Sequence, residues 1–298
     1  MRNVFWLILL LGIPLGNISA QEQSPQTEEA SAQEADKPEE NKTEAGASKA
    51  QPTVKPEPYE GANPEELLAK QLDSGEVKWL NDKQGKFLGI FEPSQEASTK
   101  GSLMLLPEHG SMANAEGIIE TLLTDSDRRG WHVLSISPPG MDIHPIPMDN
   151  LSLSQEAKSE QETQNLELLL SRLLAAEAEL LKGGGRYVLV AQGIMAEMCL
   201  ELVISKMIKP VMLVTLDIEH PHHARNKKIN QLMRQLRLPL LDVVSEQTGI
   251  ARERQQQMSG RVSYRQVFYP AKNQDFIGQE QVVAKRIHDW LKKQLESM

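Results

Sequence analysis

The sequence predicts an α/β fold, with a mostly parallel sheet, flanking helices and a hairpin at its N-terminal edge. Three observations predict it. From residue 61 onward, apolar runs of strand length alternate with longer amphipathic runs of helical period. Glycines, prolines and polar clusters punctuate the runs. No stretch interrupts the alternation long enough to divide it, so residues 61–298 read as one domain. Strands joined through helices must cross over, and crossover connections build parallel sheets.

Residues 64–72 form a short helix, with Asn63 as its cap and Pro64 at the first helical position. Residues 77–80 and 86–91 flank the polar turn Asn81-Asp82-Lys83-Gln84-Gly85 and make the hairpin. Residues 103–106 (LMLL), after Gly101-Ser102, read as a buried strand. A helix over 115–129 stops at Gly130, and 131–137 (WHVLSIS) is the next strand. Residues 154–182 carry Leu166, Leu169, Leu170, Leu173, Leu174 and Leu180 in an i, i+3, i+4 stripe, a long helix ended by Gly183-Gly184-Gly185. Strand 187–190, helix 194–207, strand 211–216, helix 224–237 and strand 240–244 continue the pattern. A short helix at 250–258, strand 262–269 and helix 279–295 close the chain.

Ahead of this domain the composition differs twice. Arg2, the apolar run VFWLILLL at 4–11 and Ile18-Ser19-Ala20 read as a secretory signal over 1–20, cut after Ala20. Its apolar run is too short for a spanning helix, so no transmembrane segment is expected after cleavage. Residues 21–60 carry ten acids against four lysines and a single aromatic, Tyr59. Such a segment has too little apolar area to offset its ordering entropy, so an acidic, disordered linker is expected. The whole chain of 298 residues is formally −9, of which this linker supplies −6 and the domain only about −4. That balance argues against nucleic acid as a partner. The one cysteine excludes an intrachain disulfide and a cysteine-built zinc site. The expected location is the periplasm or the exterior, with an unknown envelope ligand or protein as partner.

The chemistry turns on the residues just after strand 187–190. A nucleophile elbow places Gly-x-Ser-x-Gly on a sharp strand-to-helix turn. Here the turn reads Ala191-Gln192-Gly193-Ile194-Met195-Ala196, with glycine in the nucleophile's place and no oxygen to attack with. A base would come after the last strand, in Pro270-Ala271-Lys272-Asn273-Gln274-Asp275-Phe276; no histidine is there, and Gln274 stands near its place. Asp242 is a candidate acid, with Asp217 as another, but a carboxylate without a histidine to orient has no triad role. Pairing with an arginine or a backbone N–H is the plainer use of Asp242.

This element order resembles the α/β-hydrolase fold. The details are similar to a family of secreted bacterial α/β-hydrolase-like proteins of unknown function, on Leu105-Leu106-Pro107, Gly130-Trp131, Ala191-Gln192-Gly193 and Leu238-Pro239-Leu240-Leu241-Asp242. Tyr264-Arg265-Gln266 and Ile287-His288-Asp289-Trp290-Leu291 extend the likeness over residues 101–298. The resemblance implies a fold and assigns no activity. It also implies that His109-Gly110 corresponds to the loop that donates an oxyanion-hole N–H. His109, Gly110, Gln192, Gly193 and Ile194 are therefore the candidates for a ligand pocket binding a carboxylate or carbonyl.

Other residues offer weaker chemistry. Ser111 lies in the loop after the first core strand and Ser135 and Ser137 at the end of the next; Ser137 is best placed, and is more simply a strand-end hydroxyl. Cys199, between Met198 and Leu200, reads as core. His109, His144, His220, His222 and His223 fall in loops after strands, with Glu108, Asp142, Asp217 and Glu219 nearby, a donor set for a divalent metal. Solvated or capping histidines are the plainer reading, and neither a metal nor another cofactor is expected. Arg225, Lys227, Lys228, Arg234, Arg237, Arg252, Arg254 and Arg261 suggest a basic, solvated face. The expected function is that of a catalytically degenerate hydrolase-like binding protein. An esterase with an unconventional site and a metal site at the histidine loops are the alternatives.

Overall fold

A computed structural model describes residues 63–73, 75–141, 143, 155–182, 184–220, 223–271 and 275–297. The signal and linker, and with them His144, His222 and Gln274, lie outside the described residues.

Eight strands form one sheet: β1 (Val77–Asp82), β2 (Gly85–Glu92), β3 (Gly101–Leu106), β4 (Trp131–Ile136), β5 (Tyr187–Gln192), β6 (Met212–Leu216), β7 (Leu240–Val244) and β8 (Tyr264–Phe268). Their order across the sheet is β1-β2-β4-β3-β5-β6-β7-β8. β2 runs antiparallel to both its neighbours, and from β4 to β8 every pairing is parallel. The expected hairpin is tighter than the turn residues suggested. The strands pair through Asp82 opposite Gly85, leaving Lys83-Gln84 as the turn, and Gly85 takes a φ of 117° there.

The helices are α1 (Pro64–Ala69), α2 (Ile118–Ser126), α3 (Gln155–Leu180), α4 (Gly193–Ile204), α5 (His223–Gln235), α6 (Gly249–Gln257) and α7 (Glu280–Leu295). Asn63 caps α1 as expected, its side chain accepting from the Glu65 N–H. α2 begins three residues later than its apolar periodicity suggests, because Gly117 sits at φ 89° before it; a 3-10 turn, Asp127–Arg129, takes over its end.

Side chains on a strand alternate between faces, so each central strand feeds two cores. Met104 and Leu106 of β3 join Leu189, Leu213 and Leu240 under α3, α4 and α5. Leu103 and Leu105 join Val188, Val190, Val214 and Val243 under α2 and α7. On α7, Val283, Ala284, Ile287, Trp290 and Leu291 are buried; each large apolar side chain so placed contributes about 2 kcal/mol. The near-continuous apolar strands result from cover on both faces.

One polar clamp fixes α3 across the hairpin. The Arg172 guanidinium pairs with Asp82 at 2.6 Å, donates to the carbonyls of Ser137 and Pro138 at 3.0 and 2.9 Å, and lies 4.3 Å over the Phe87 ring. Arg172 thus ties the end of β4 to β1 and β2, which holds the loops beyond the strand ends in place.

Candidate functional site

The strand order places a crevice. β4 lies on one side of β3 and β5 on the other, so the chain leaves neighbouring parallel strands in opposite directions. Loops part above their carboxyl ends at such a point, and ligands of open α/β sheets bind there. The loop after β3 carries Glu108, His109 and Gly110, and the end of β5 carries Gln192 and Gly193.

The turn from β5 into α4 has the backbone of an elbow. Gly193 sits at φ 51°, the left-handed region that disfavours side chains, while Gln192 before it is extended. Glu108 faces this turn. Its Oε2 accepts the Ile194 N–H at 3.0 Å, and its Oε1 accepts the His109 N–H at 2.7 Å. Gln192, almost wholly buried, links the neighbouring pieces. Its Oε1 accepts the Glu108 N–H at 3.3 Å, and its Nε2 donates to Asp275 Oδ1 at 3.1 Å. Burial pushes the Glu108 carboxyl up to about 7; the two N–H bonds pull it back, and the nearby Asp275 charge pushes it further.

Asp275 brings in the loop after β8. Its carbonyl accepts the Ile118 N–H at 3.0 Å. A Cβ at Gly117 would stand 2.5 Å from that carbonyl oxygen, so glycine is required for the approach. The loop expected to carry a base therefore meets the elbow through a carboxylate. Gln274, the expected base position, lies outside the described residues.

Of the pocket candidates, His109, Gln192, Gly193 and Ile194 do come together. Gly110, next to His109, is exposed at φ 83°, and a Cβ there would meet open space. The residue that unites them is Glu108, which the sequence suggests only as a metal partner. Its signal is its position, an acid at the carboxyl end of a central parallel strand, directly before the donor loop.

Asp242 is no free acid. It is fully buried beside a fully buried Arg254 at 2.7 Å, and it also accepts from Thr215 Oγ1, Tyr264 Oη and Gln266 Nε2 at 3.1, 2.9 and 2.9 Å. The Tyr264 hydroxyl is pushed up by burial and by the Asp242 charge. The arginine pairing expected for Asp242 is therefore what is found. Asp217, at φ 47° after β6, accepts the Ser245 N–H, and burial raises its carboxyl to about 6.

Part of the basic set is engaged in similar contacts. Arg254 is a core residue. Arg225 pairs with Glu197 and Glu162, and Lys228 with Glu201. Arg261 donates to the carbonyls of Met233, Arg234 and Leu236 at the end of α5. These four cations are engaged by the fold, while Lys227, Arg234, Arg237 and Arg252 are exposed.

Ser137 is a strand-end hydroxyl, accepting the Ala113 N–H at 3.1 Å. Cys199 is wholly buried, which pushes its thiol far up. The histidines disperse. His109 Nε2 meets the Met141 carbonyl at 3.1 Å. The His220 backbone is bound in both directions by Asn226, and His223 opens α5. Among the described residues, no three His, Cys, Asp or Glu side chains are grouped to hold a metal ion. Nor is any described helix long and apolar enough to cross a membrane.

Sheet order, elbow backbone and loop placement together define an α/β-hydrolase-fold protein. The chain belongs to the family described as Protein of unknown function (DUF3530), whose match runs over residues 5–293. No curated protein matches it by sequence. Among solved structures it is similar to Est1E from Butyrivibrio proteoclasticus, with TM-score 0.54 and 9% identity over 74% of this chain and 99% of that one. It is also similar to a dienelactone hydrolase from Anabaena variabilis, with TM-score 0.52 and 16% identity over 73% and 96%. An alpha-beta serine hydrolase homologue from Coxiella burnetii gives TM-score 0.51 and 14% identity over 75% and 99%. At these identities the likeness is one of fold.

Proposed function

We propose that this protein is a hydrolase-fold protein without hydrolase chemistry, exported to the periplasm or beyond, that acts by binding. The observation that carries the reading is Gly193 at φ 51°: the turn that presents a nucleophile is kept, and the residue on it has no side chain. The sequence of the loop after β8 agrees, since residues 270–276 include no histidine to activate a nucleophile or a water. The candidate acid is spoken for by Arg254. Export rests on residues 1–20, with residues 21–60 serving as an acidic spacer between the cleavage point and the domain.

Turnover is the test. Purified protein at high concentration is assayed with short- and long-chain p-nitrophenyl esters, beside a heat-inactivated control and Ser137→Ala. The expected result is no rate above the control. Hydrolysis by the native protein that survives Ser137→Ala would sink the reading. For export, the mature N-terminus from a periplasmic fraction is expected at Gln21; an uncleaved Met1 would contradict it.

A further inference from the structure

Two backbone N–H groups from separate parts of the chain converge on one carboxylate. His109 belongs to the loop after β3 and Ile194 to the first turn of α4, 86 residues beyond Glu108. Each donates to a different oxygen of Glu108. We infer that these two N–H groups form a carboxylate-binding cradle whose resident ligand is the chain's own Glu108, so that an outside carboxylate enters only by displacing that side chain. This rests on the binding role proposed above and names the chemistry of the ligand.

The geometry selects a carboxylate. Two donors meet two oxygens of one planar group, at 2.7 and 3.0 Å. The groups around Glu108 are the two N–H donors, the Gln192 amide and a second carboxylate, Asp275. A dianion such as a phosphate ester would meet the Asp275 charge there, whereas a single carboxyl group matches the one that Glu108 already places between the two donors. The cradle also lies near the surface, since Glu108 and His109 are only partly buried and Gly110 beside them is exposed in open space.

Rescue by a small carboxylate tests this. Glu108→Ala leaves both donors unpaired in an emptied cradle. Its melting temperature is expected below that of the wild type, and formate or acetate should raise it saturably, with roughly millimolar affinity for two hydrogen bonds without a cation. Chloride at matched ionic strength should not, and the wild type should respond to formate only at much higher concentration, because the tethered Glu108 competes for the same donors. The Ile194 and His109 amide resonances should move with formate in the variant. Unmoved amides, with formate no better than chloride, would overturn the cradle.

Should Glu108→Ala fail to fold, Glu108→Gln decides. Its carboxamide keeps the shape but offers one oxygen, so one of the two amides should exchange with solvent roughly tenfold faster, the factor for one lost hydrogen bond. Unchanged protection of both amides would overturn the proposal. Ester turnover by the wild type would sink the non-catalytic reading and leave a formate result standing; absent formate binding would do the reverse.

Discussion

Two carboxylates of one sheet, Asp242 within β7 and Glu108 just past the end of β3, are treated in opposite ways. Asp242 is matched by a guanidinium, a phenol, an amide and a hydroxyl, all within 3.1 Å at their closest atoms. Glu108 is held by two backbone N–H groups and faces another carboxylate across Gln192. Solvation separates the two outcomes. A buried carboxylate with a cation and a full set of donors has its desolvation offset, whereas Glu108, with fewer partners, is pushed up to about 7 by burial. The first region is built for stability and the second is poised to change.

The comparison breaks most sharply at Arg254. Arg254→Ala strands a buried Asp242 charge and should lower stability by about 3–5 kcal/mol in urea unfolding; a loss under about 1 kcal/mol would show that water reaches the cluster. Glu108 should reveal itself through pH. Its folded carboxyl titrates near 7, against an ordinary 4.5. As pH rises through 4.5 the unfolded chain releases that proton first while the folded chain keeps it, so stability falls between about 4.5 and 7 and is level above. The fall amounts to on the order of 3 kcal/mol. Glu108→Gln should show a shallower fall, with the contribution of Asp217, raised to about 6, remaining, and parallel pH profiles for variant and wild type would refute the assignment.

Smaller effects sharpen the contrast. Tyr264→Phe removes one hydrogen bond to the ionised Asp242 and should cost about 2 kcal/mol, with a flat pH dependence near neutrality. Gly193→Ala asks a side chain to adopt φ 51° and should cost about 1–2 kcal/mol, read as a shift in melting temperature. No cost there would mean that the elbow backbone relaxes readily, which weakens the cradle as well.

Much of the fold is legible in order and period. Strand β7 (Leu240–Val244) ends where its apolar run ends, and the glycine at the elbow is visible without coordinates. The features that escape are long-range and polar. Arg254 sits on a helix of low hydrophobicity and looks solvated, because its partner Asp242 lies across the packing of α6 on β7. The contact between Glu108 and Ile194 depends on β3 and β5 being neighbours although β4 intervenes in sequence. Local pattern carries no information on which distant N–H a carboxylate will find. The late start of α2 is local in cause but tertiary in reason, since Gly117 answers to Asp275.

That close approach of Gly117 to the Asp275 backbone bears on how such a molecule could change over generations. Placing a serine triad here would need a serine tolerated in a left-handed turn, the departure of Glu108, and a histidine in a loop pinned to the start of α2. Each step alone strains or empties a packed contact and brings no turnover to be selected. On the binding role proposed above, the three sites together would have to change before this fold could carry a serine-type triad.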